Sequence, residues 1–316
     1  MSEPFVRPDV RAFLDQLAAS PRPIFNDQLM AVIRQMPSDA MAGMDLPVGE
    51  MGEIRDVVMP GPDGDIKLRL YDPRASREAG PVVVFYHGGG FVVGSIDTHA
   101  GIAAEIARSL DLPVVSVEYR LAPEHKWPAA PDDAEAAARW IAANGAAFDR
   151  QFTHLVLAGD SAGGNLTLVT TLALRDAPAA LPLLAQIPIY PMADASREHA
   201  SMTTFADGYG LESENMAYYR SAFHADHAHP RYSPLVADLA GLPPTLLVTA
   251  ALDPLRDGGR AFAAAAVLSG VPVIYREYQG TIHGFCSYRK LIASAQADTL
   301  EFLALAKAMI AEALAG

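Results

Sequence analysis

The sequence predicts an α/β fold built on an eight-stranded, mostly parallel sheet with helices on both faces. Short apolar runs near 82–87, 113–119, 153–159, 183–190, 244–252 and 271–278 each have the length of a buried strand. Helix-length stretches separate them, and that alternation winds strands into a parallel sheet by crossovers. Upstream, residues 54–59 and 66–71 flank Pro60-Gly61-Pro62-Asp63-Gly64-Asp65, a hairpin that supplies two more strands. At 316 residues and 51% apolar content, the chain can bury one large core. No internal repeat, low-complexity tract or linker divides it.

Taken in order, residues 8–36 carry two amphipathic patterns, Val10-Arg11-Ala12-Phe13-Leu14-Asp15-Gln16-Leu17 and Asn26-Asp27-Gln28-Leu29-Met30-Ala31-Val32-Ile33. The hairpin's alternation Lys67-Leu68-Arg69-Leu70 suits a solvated sheet edge. The strand–helix rhythm then breaks at 191–241, about fifty residues where a crossover needs a dozen. Its large side chains (Met202, Phe205, Tyr209, Met216, Tyr218, Tyr219, Phe223) suit either the underside of a lid or a small core of its own. A last helix is expected from about 291 to 314. The organisation expected is a catalytic domain of 46–190 and 242–316, a cap insertion of 191–241, and N-terminal helices within 1–45 that complete the cap.

The chemistry is concentrated at strand ends. Gly159-Asp160-Ser161-Ala162-Gly163 follows the apolar run Leu155-Val156-Leu157-Ala158 and opens onto a helical pattern. This is strand, sharp turn, helix with a serine at the apex, a nucleophile elbow whose glycines permit close packing. The pattern alone is also that of a tight turn with a capping serine. A second strand ends in His87-Gly88-Gly89-Gly90-Phe91, whose glycines let backbone N–H groups approach a ligand closely. That loop lacks the Lys-Ser/Thr of a P-loop and the spacing of a dinucleotide fingerprint. Asp253 follows the strand at 244–252, and His283 follows the strand at 271–278. Ser161, Asp253 and His283 therefore lie in the chain order of a hydrolase triad. Asp257 is the rival acid, but it falls in the first turn of the next helix, where the helix dipole favours a carboxylate. His224, Asp226, His227 and His229 match no compact zinc spacing and are expected in a solvated loop.

On these residues the chain resembles the hormone-sensitive-lipase-like carboxylesterases of the α/β-hydrolase superfamily. His87-Gly88-Gly89-Gly90-Phe91 and Gly159-Asp160-Ser161-Ala162-Gly163-Gly164 match the two signature motifs. Tyr119-Arg120-Leu121-Ala122-Pro123-Glu124-His125, Trp127-Pro128-Ala129 and Asp253-Pro254-Leu255-Arg256-Asp257 match further ones, and the likeness runs from about residue 50 to the end. The resemblance implies Ser161 as nucleophile, Asp253 and His283 as its partners, and oxyanion donors from the backbones of Gly88, Gly89 and Ala162. It implies hydrolysis of small-molecule esters without a metal or organic cofactor.

The remaining features bound partners and compartment. A net charge of −13 argues against binding nucleic acid or anionic membrane. No apolar stretch reaches the roughly eighteen residues that span a bilayer, and Met1-Ser2-Glu3-Pro4 lacks the form of a signal peptide. The single cysteine fits a reducing, cytoplasmic setting. Cys286, three residues past His283, is read as a buried, inert thiol rather than a handle for thiol reagents. Oligomeric state is open, a homodimer included. The enclosed pocket expected under the cap points to short- to medium-chain acyl esters, with an optimum between about four and eight carbons. A small-molecule receptor on the same fold, or an amidase or acyltransferase using the same triad, are the alternatives. A histidine base predicts activity rising with pH through neutrality.

Overall fold

The computed structural model describes residues 4–20, 24–36 and 43–315. The expected eight strands form one sheet: β1 (Glu53–Gly61), β2 (Gly64–Asp72), β3 (Gly80–Tyr86), β4 (Val114–Val117), β5 (Phe152–Asp160), β6 (Leu183–Ile189), β7 (Thr245–Leu252) and β8 (Val273–Ile282). Their spatial order is β1-β2-β4-β3-β5-β6-β7-β8. The hairpin β1–β2 joins β4 antiparallel at one edge, and every other pairing is parallel. In β2 the predicted alternation holds: Ile66, Leu68 and Leu70 are buried while Lys67 and Arg69 stand half-exposed. Arg69 sits opposite Asp56 in the register and donates to both its carboxylate oxygens, at 2.6 and 2.9 Å. This cross-strand pair pulls the Asp56 carboxyl down to about 2, with the Arg69 hydrogen bond as the main cause.

Nine helices are described: α1 (Pro8–Ala18), α2 (Asp27–Gln35), α3 (Ala100–Leu110), α4 (Ala129–Ala143), α5 (Ala162–Asp176), α6 (Ala200–Thr204), α7 (Ser213–Phe223), α8 (Arg256–Leu268) and α9 (Ala293–Ala315). Period-two alternation sends opposite residues of each central strand to opposite faces. Val83, Phe85, Val156 and Ala158 pack with α1, α3 and α9, whereas Val82, Val84, Leu155 and Leu157 pack with α4 and α5. Burying strands on both faces is why they read as continuous apolar runs rather than as alternating ones.

The N-terminal patterns do form α1 and α2, and Asn26 caps α2 by accepting from the Leu29 N–H at 2.9 Å. Residues 1–3, 21–23 and 37–42 of that stretch lie outside the described residues. The aromatics of 191–241 do not form a core of their own. Phe205 joins the α3/α9 side of the main core, and Phe223 and Tyr232 join the α4/α5 side. Among the described residues no helix is long and apolar enough to cross a membrane.

Buried charge ties the N-terminal segment to the loop after β8. Arg289, whose side chain is fully buried, donates to Asp45 at 2.6 and 2.8 Å and to Glu105 at 3.2 Å. Removing one partner of such a pair strands the other in a low-dielectric interior. Arg289→Ala is expected to lose about 3–5 kcal/mol of stability, read as a lower denaturation midpoint in urea. A midpoint within error of the wild type would show that the pair is not structural.

Candidate active site

The elbow has the strained geometry its glycines anticipate. Ser161 adopts φ 55° and ψ −114°, a conformation that non-glycine residues rarely occupy. The helix behind it runs hard against the sheet. A Cβ on Gly163 would lie 1.9 Å from the Tyr86 carbonyl oxygen, and one on Gly159 would lie 2.3 Å from the Gly163 oxygen. The Ser161 N–H is held by the Ile189 carbonyl at 2.9 Å, which ties the turn to β6.

The three candidate residues come from three different strand ends, and the fold brings them into one chain of hydrogen bonds. His283 Nε2 lies 2.8 Å from Ser161 Oγ, and His283 Nδ1 lies 2.7 Å from Asp253 Oδ2. Asp253 is fully buried, and its other oxygen accepts the Leu255 N–H at 2.7 Å. Its rival is placed elsewhere. Asp257 begins α8, accepts from the Ser201 N–H at 3.0 Å and pairs with Arg256 and Arg260. Tyr190, with its ring 4.9 Å from that of His283, packs beneath the imidazole.

The glycine loop departs from expectation at one position. Gly88 was expected to offer its N–H to an oxyanion, but that N–H donates to Asp160 Oδ1 at 2.8 Å. A Cβ there would lie 2.5 Å from Asp160 Oδ2, so Gly88 is where the loop clamps onto the elbow. Beyond it the chain turns sharply, with Gly89 at φ 120° and Gly90 at φ 63°. Among the described residues, the N–H groups of Gly89, Gly90 and Ala162 have no protein acceptor, and all three residues border the cavities at Ser161. Three consecutive glycines do not reveal which N–H turns toward the serine; their dihedral angles decide it.

Two chambers meet at Ser161. One, of about 60 Å3, is apolar and includes Phe91, Met192, Leu211, Met216, Tyr219 and Leu255 in its lining. The other, of about 240 Å3, is bordered by Gly89, His99, Asp160, His283, Gly284 and Tyr288. Tyr219 of α7 lines both and packs over Gly90, where an added Cβ would lie 2.5 Å from its ring. Phe25, just before α2, meets Tyr219 edge-on at 5.8 Å, and Tyr218 donates to Asp27 at 2.9 Å. The insertion and the start of α2 therefore touch beside the serine.

Several residues here escaped the sequence reading. Asp160 stood inside the elbow motif with no role, and His99 lies in a loop with no diagnostic spacing. Both are buried together, His99 Nε2 3.6 Å from Asp160 Oδ1. His87 stacks on Tyr119 at 4.2 Å. Burial, and then the neighbouring His99, hold the His87 imidazole neutral and down at about 3. As expected of a solvated loop, His224, Asp226 and His227 are exposed, while half-buried His229 accepts the Arg231 N–H at Nδ1 at 3.1 Å and its ring abuts Trp127. Among the described residues no group of three His, Cys, Asp or Glu side chains could hold a metal ion.

A family profile described as the alpha/beta hydrolase fold matches residues 83–287. The carboxylic ester hydrolase LipN of Mycobacterium tuberculosis is 36% identical over 280 residues, which cover 85% of this chain and 73% of that protein. An arylesterase of Saccharolobus solfataricus is 34% identical over 283 residues, or 88% of this chain and 91% of its own. The solved structure of a hyperthermophilic esterase from Pyrobaculum calidifontis, 35% identical, superposes with a TM-score of 0.88 over 96% of this chain and 98% of its own. The chain belongs to the α/β-hydrolase fold family, in its hormone-sensitive-lipase-like (family IV) carboxylesterase branch.

The cysteine has a clear fate. Cys286 is fully buried, and burial pushes its thiol up to about 12. At about pH 8 the thiolate fraction is then on the order of 1 in 10⁴. The native protein is expected to resist a disulfide reagent such as DTNB and keep full activity, labelling only after unfolding. Rapid native-state labelling with loss of activity would contradict this burial.

Proposed function

We infer that this carboxylic ester hydrolase cleaves short- to medium-chain acyl esters through Ser161, His283 and Asp253, by way of an acyl-enzyme. The observation that carries the reading is the unbroken chain of hydrogen bonds from buried Asp253 through His283 to Ser161 Oγ, at 2.7 and 2.8 Å. Neutral His283 takes the serine proton as Oγ attacks the ester carbonyl, and Asp253 fixes the tautomer and stabilises the imidazolium. The N–H groups of Gly89, Gly90 and Ala162 receive the oxyanion, a contribution worth roughly 3–4 kcal/mol per donor removed in comparable sites. His283 then protonates the departing alcohol, and water repeats the sequence on the acyl-enzyme. None of these steps draws on a metal or cofactor.

The two chambers divide the substrate. The leaving oxygen must face the nitrogen that protonates it, so the alcohol belongs in the chamber bordered by His283 and Gly284. The acyl chain then enters the apolar chamber beside Ala162. Since the first is about 240 Å3 and the second about 60 Å3, the acyl optimum falls at the short end of the expected range. Residues 191–241 act as a cap with the N-terminal helices. Buried Cys286 and the strongly acidic charge fit a cytoplasmic enzyme with no nucleic-acid or membrane partner. A homodimer is compatible with this reading.

Ser161→Ala is expected to lower kcat by on the order of a million-fold with the fold intact. A folded variant retaining a few per cent of activity would sink the assignment. Asp253→Asn should lose at least about 10³-fold more than Asp257→Asn, because only the former holds the imidazole. Equal losses would put the acid elsewhere. Across p-nitrophenyl esters, kcat/KM should peak at about four carbons and fall well before sixteen, since each buried methylene gains about 0.8 kcal/mol only until the chain meets the wall. A preference for sixteen-carbon esters, or a rate jump on emulsified triglyceride, would mean the cap opens onto lipid.

A further inference from the structure

A second buried histidine lies within the same chamber. His99 immediately precedes α3, with its side chain 10% exposed. Its Nε2 faces Asp160 Oδ1 at 3.6 Å, and that same oxygen accepts the Gly88 N–H at 2.8 Å. Its Nδ1 lies 2.9 Å from Thr98 Oγ1, a hydroxyl that also donates to the Ser95 carbonyl at 3.1 Å. Thr98 Oγ1, which accepts the Ser95 N–H at 2.9 Å, has one proton to share between the Ser95 carbonyl and His99 Nδ1, so what favours a charged ring is the buried Asp160 carboxylate facing Nε2.

We propose that His99 is a positioning residue for ester hydrolysis: as an imidazolium it holds the Asp160 carboxylate, which grips the Gly88 N–H and so aims the next two N–H groups of the loop at the oxyanion. The enzyme would then need one histidine neutral, His283, and another charged, His99. This rests on the triad and oxyanion roles inferred above.

Among the described residues, Asp160 has no other cationic partner. Asp45, on the segment before β1, also faces His99, but Arg289 already binds it through two hydrogen bonds. Glu105 on α3 pairs with Arg108 and Arg289. His87 of the glycine loop, 5.4 Å away ring to ring, is held neutral. His283 and Tyr288 border the same chamber. Burial alone would push the His99 imidazole down, yet Asp160, together with Asp45 and the Ser95 backbone, outweighs it and the ring is held above the usual histidine range. Burial would likewise raise Asp160, and His99, with His87 and the Gly88 N–H, more than offsets it.

The sign of the pH effect follows. Below its raised pKa, His99 is charged and the clamp is complete. As pH rises through that value the ring becomes neutral, the Asp160 carboxylate is left buried without a counter-charge, and kcat falls. The serine proton needs a neutral His283 to accept it, so the fall in kcat on the alkaline side belongs to His99.

The experiment measures kcat and KM for p-nitrophenyl butyrate between about pH 6 and 10, for the wild type, His99→Gln, His99→Lys and Ser161→Ala. His99→Gln should lower kcat by about ten- to a hundred-fold near neutrality, leave KM within about twofold, and abolish the alkaline limb. His99→Lys, with a cation that persists to higher pH, should retain more kcat and shift that limb upward. An unchanged alkaline limb or an unchanged kcat in His99→Gln overturns the proposal. Should His99→Gln fail to fold, the imidazole shifts of His99 in the intact wild-type enzyme, followed by NMR, decide it: a ring still charged above pH 7 supports the clamp, and one neutral at pH 7 refutes it. Activity surviving in Ser161→Ala would instead overturn the triad reading, so the two failures are distinguishable.

Discussion

The contact on which the rest of the site depends is the collision-distance approach of α5 to β3. A Cβ at Gly163 would come within 1.9 Å of the Tyr86 oxygen and 2.7 Å of the His87 oxygen, so only glycine lets the helix sit there. That approach sets the first turn of α5 directly against the end of β3, from which the glycine loop departs. It forces Ser161 to positive φ, and it places the serine, the loop and the helix N-terminus within one small volume. The strain is distributed into a sheet whose central strands are buried on both faces, and such interiors yield little.

Around that volume, charge is buried in compensated sets. Asp253 is matched by His283 and the Leu255 N–H, Asp160 by His99 and the Gly88 N–H, and Asp45 by Arg289. Each carboxylate is anchored at the end of a strand or just before one, and its partner comes from a distant part of the chain. Breaking any set would leave an unpaired charge at low dielectric, which is far costlier than the pair is stabilising. The site is therefore rigid in its polar parts. Its apolar parts are Met192, Leu211, Met216 and Tyr219, among which the unbranched methionines adapt their packing most readily.

Aromatic stacking joins residues 191–241 to this frame. Phe91, at the end of the glycine loop, stacks on Phe223 at the end of α7 with ring centroids 4.0 Å apart and planes 6° from parallel. Tyr232 closes on both rings, and the Asn165 side chain of α5 donates to the Met192 and Tyr232 carbonyls at 2.7 and 2.8 Å. The insertion is thus held by the same loop and helix that flank Ser161.

The eight strands, the hairpin edge, the elbow and the three residues at strand ends were legible in the sequence, because each depends on local pattern; the order of the strands in the sheet was not. Period-two burial, glycine punctuation and the first residue past a strand are properties of short segments. The aromatics of 191–241 were ambiguous for the opposite reason, since an apolar side chain does not state which core it joins. Likewise the run Gly88-Gly89-Gly90 promised free N–H groups without saying which ones. The tertiary structure decided that Gly88 closes onto Asp160, that His99 meets Asp160 across 61 residues of chain, and that Tyr219 lines both of the unequal chambers beside Ser161. Those outcomes depend on contacts between segments remote in sequence, and a single chain's local pattern carries no record of which remote partner each group will find.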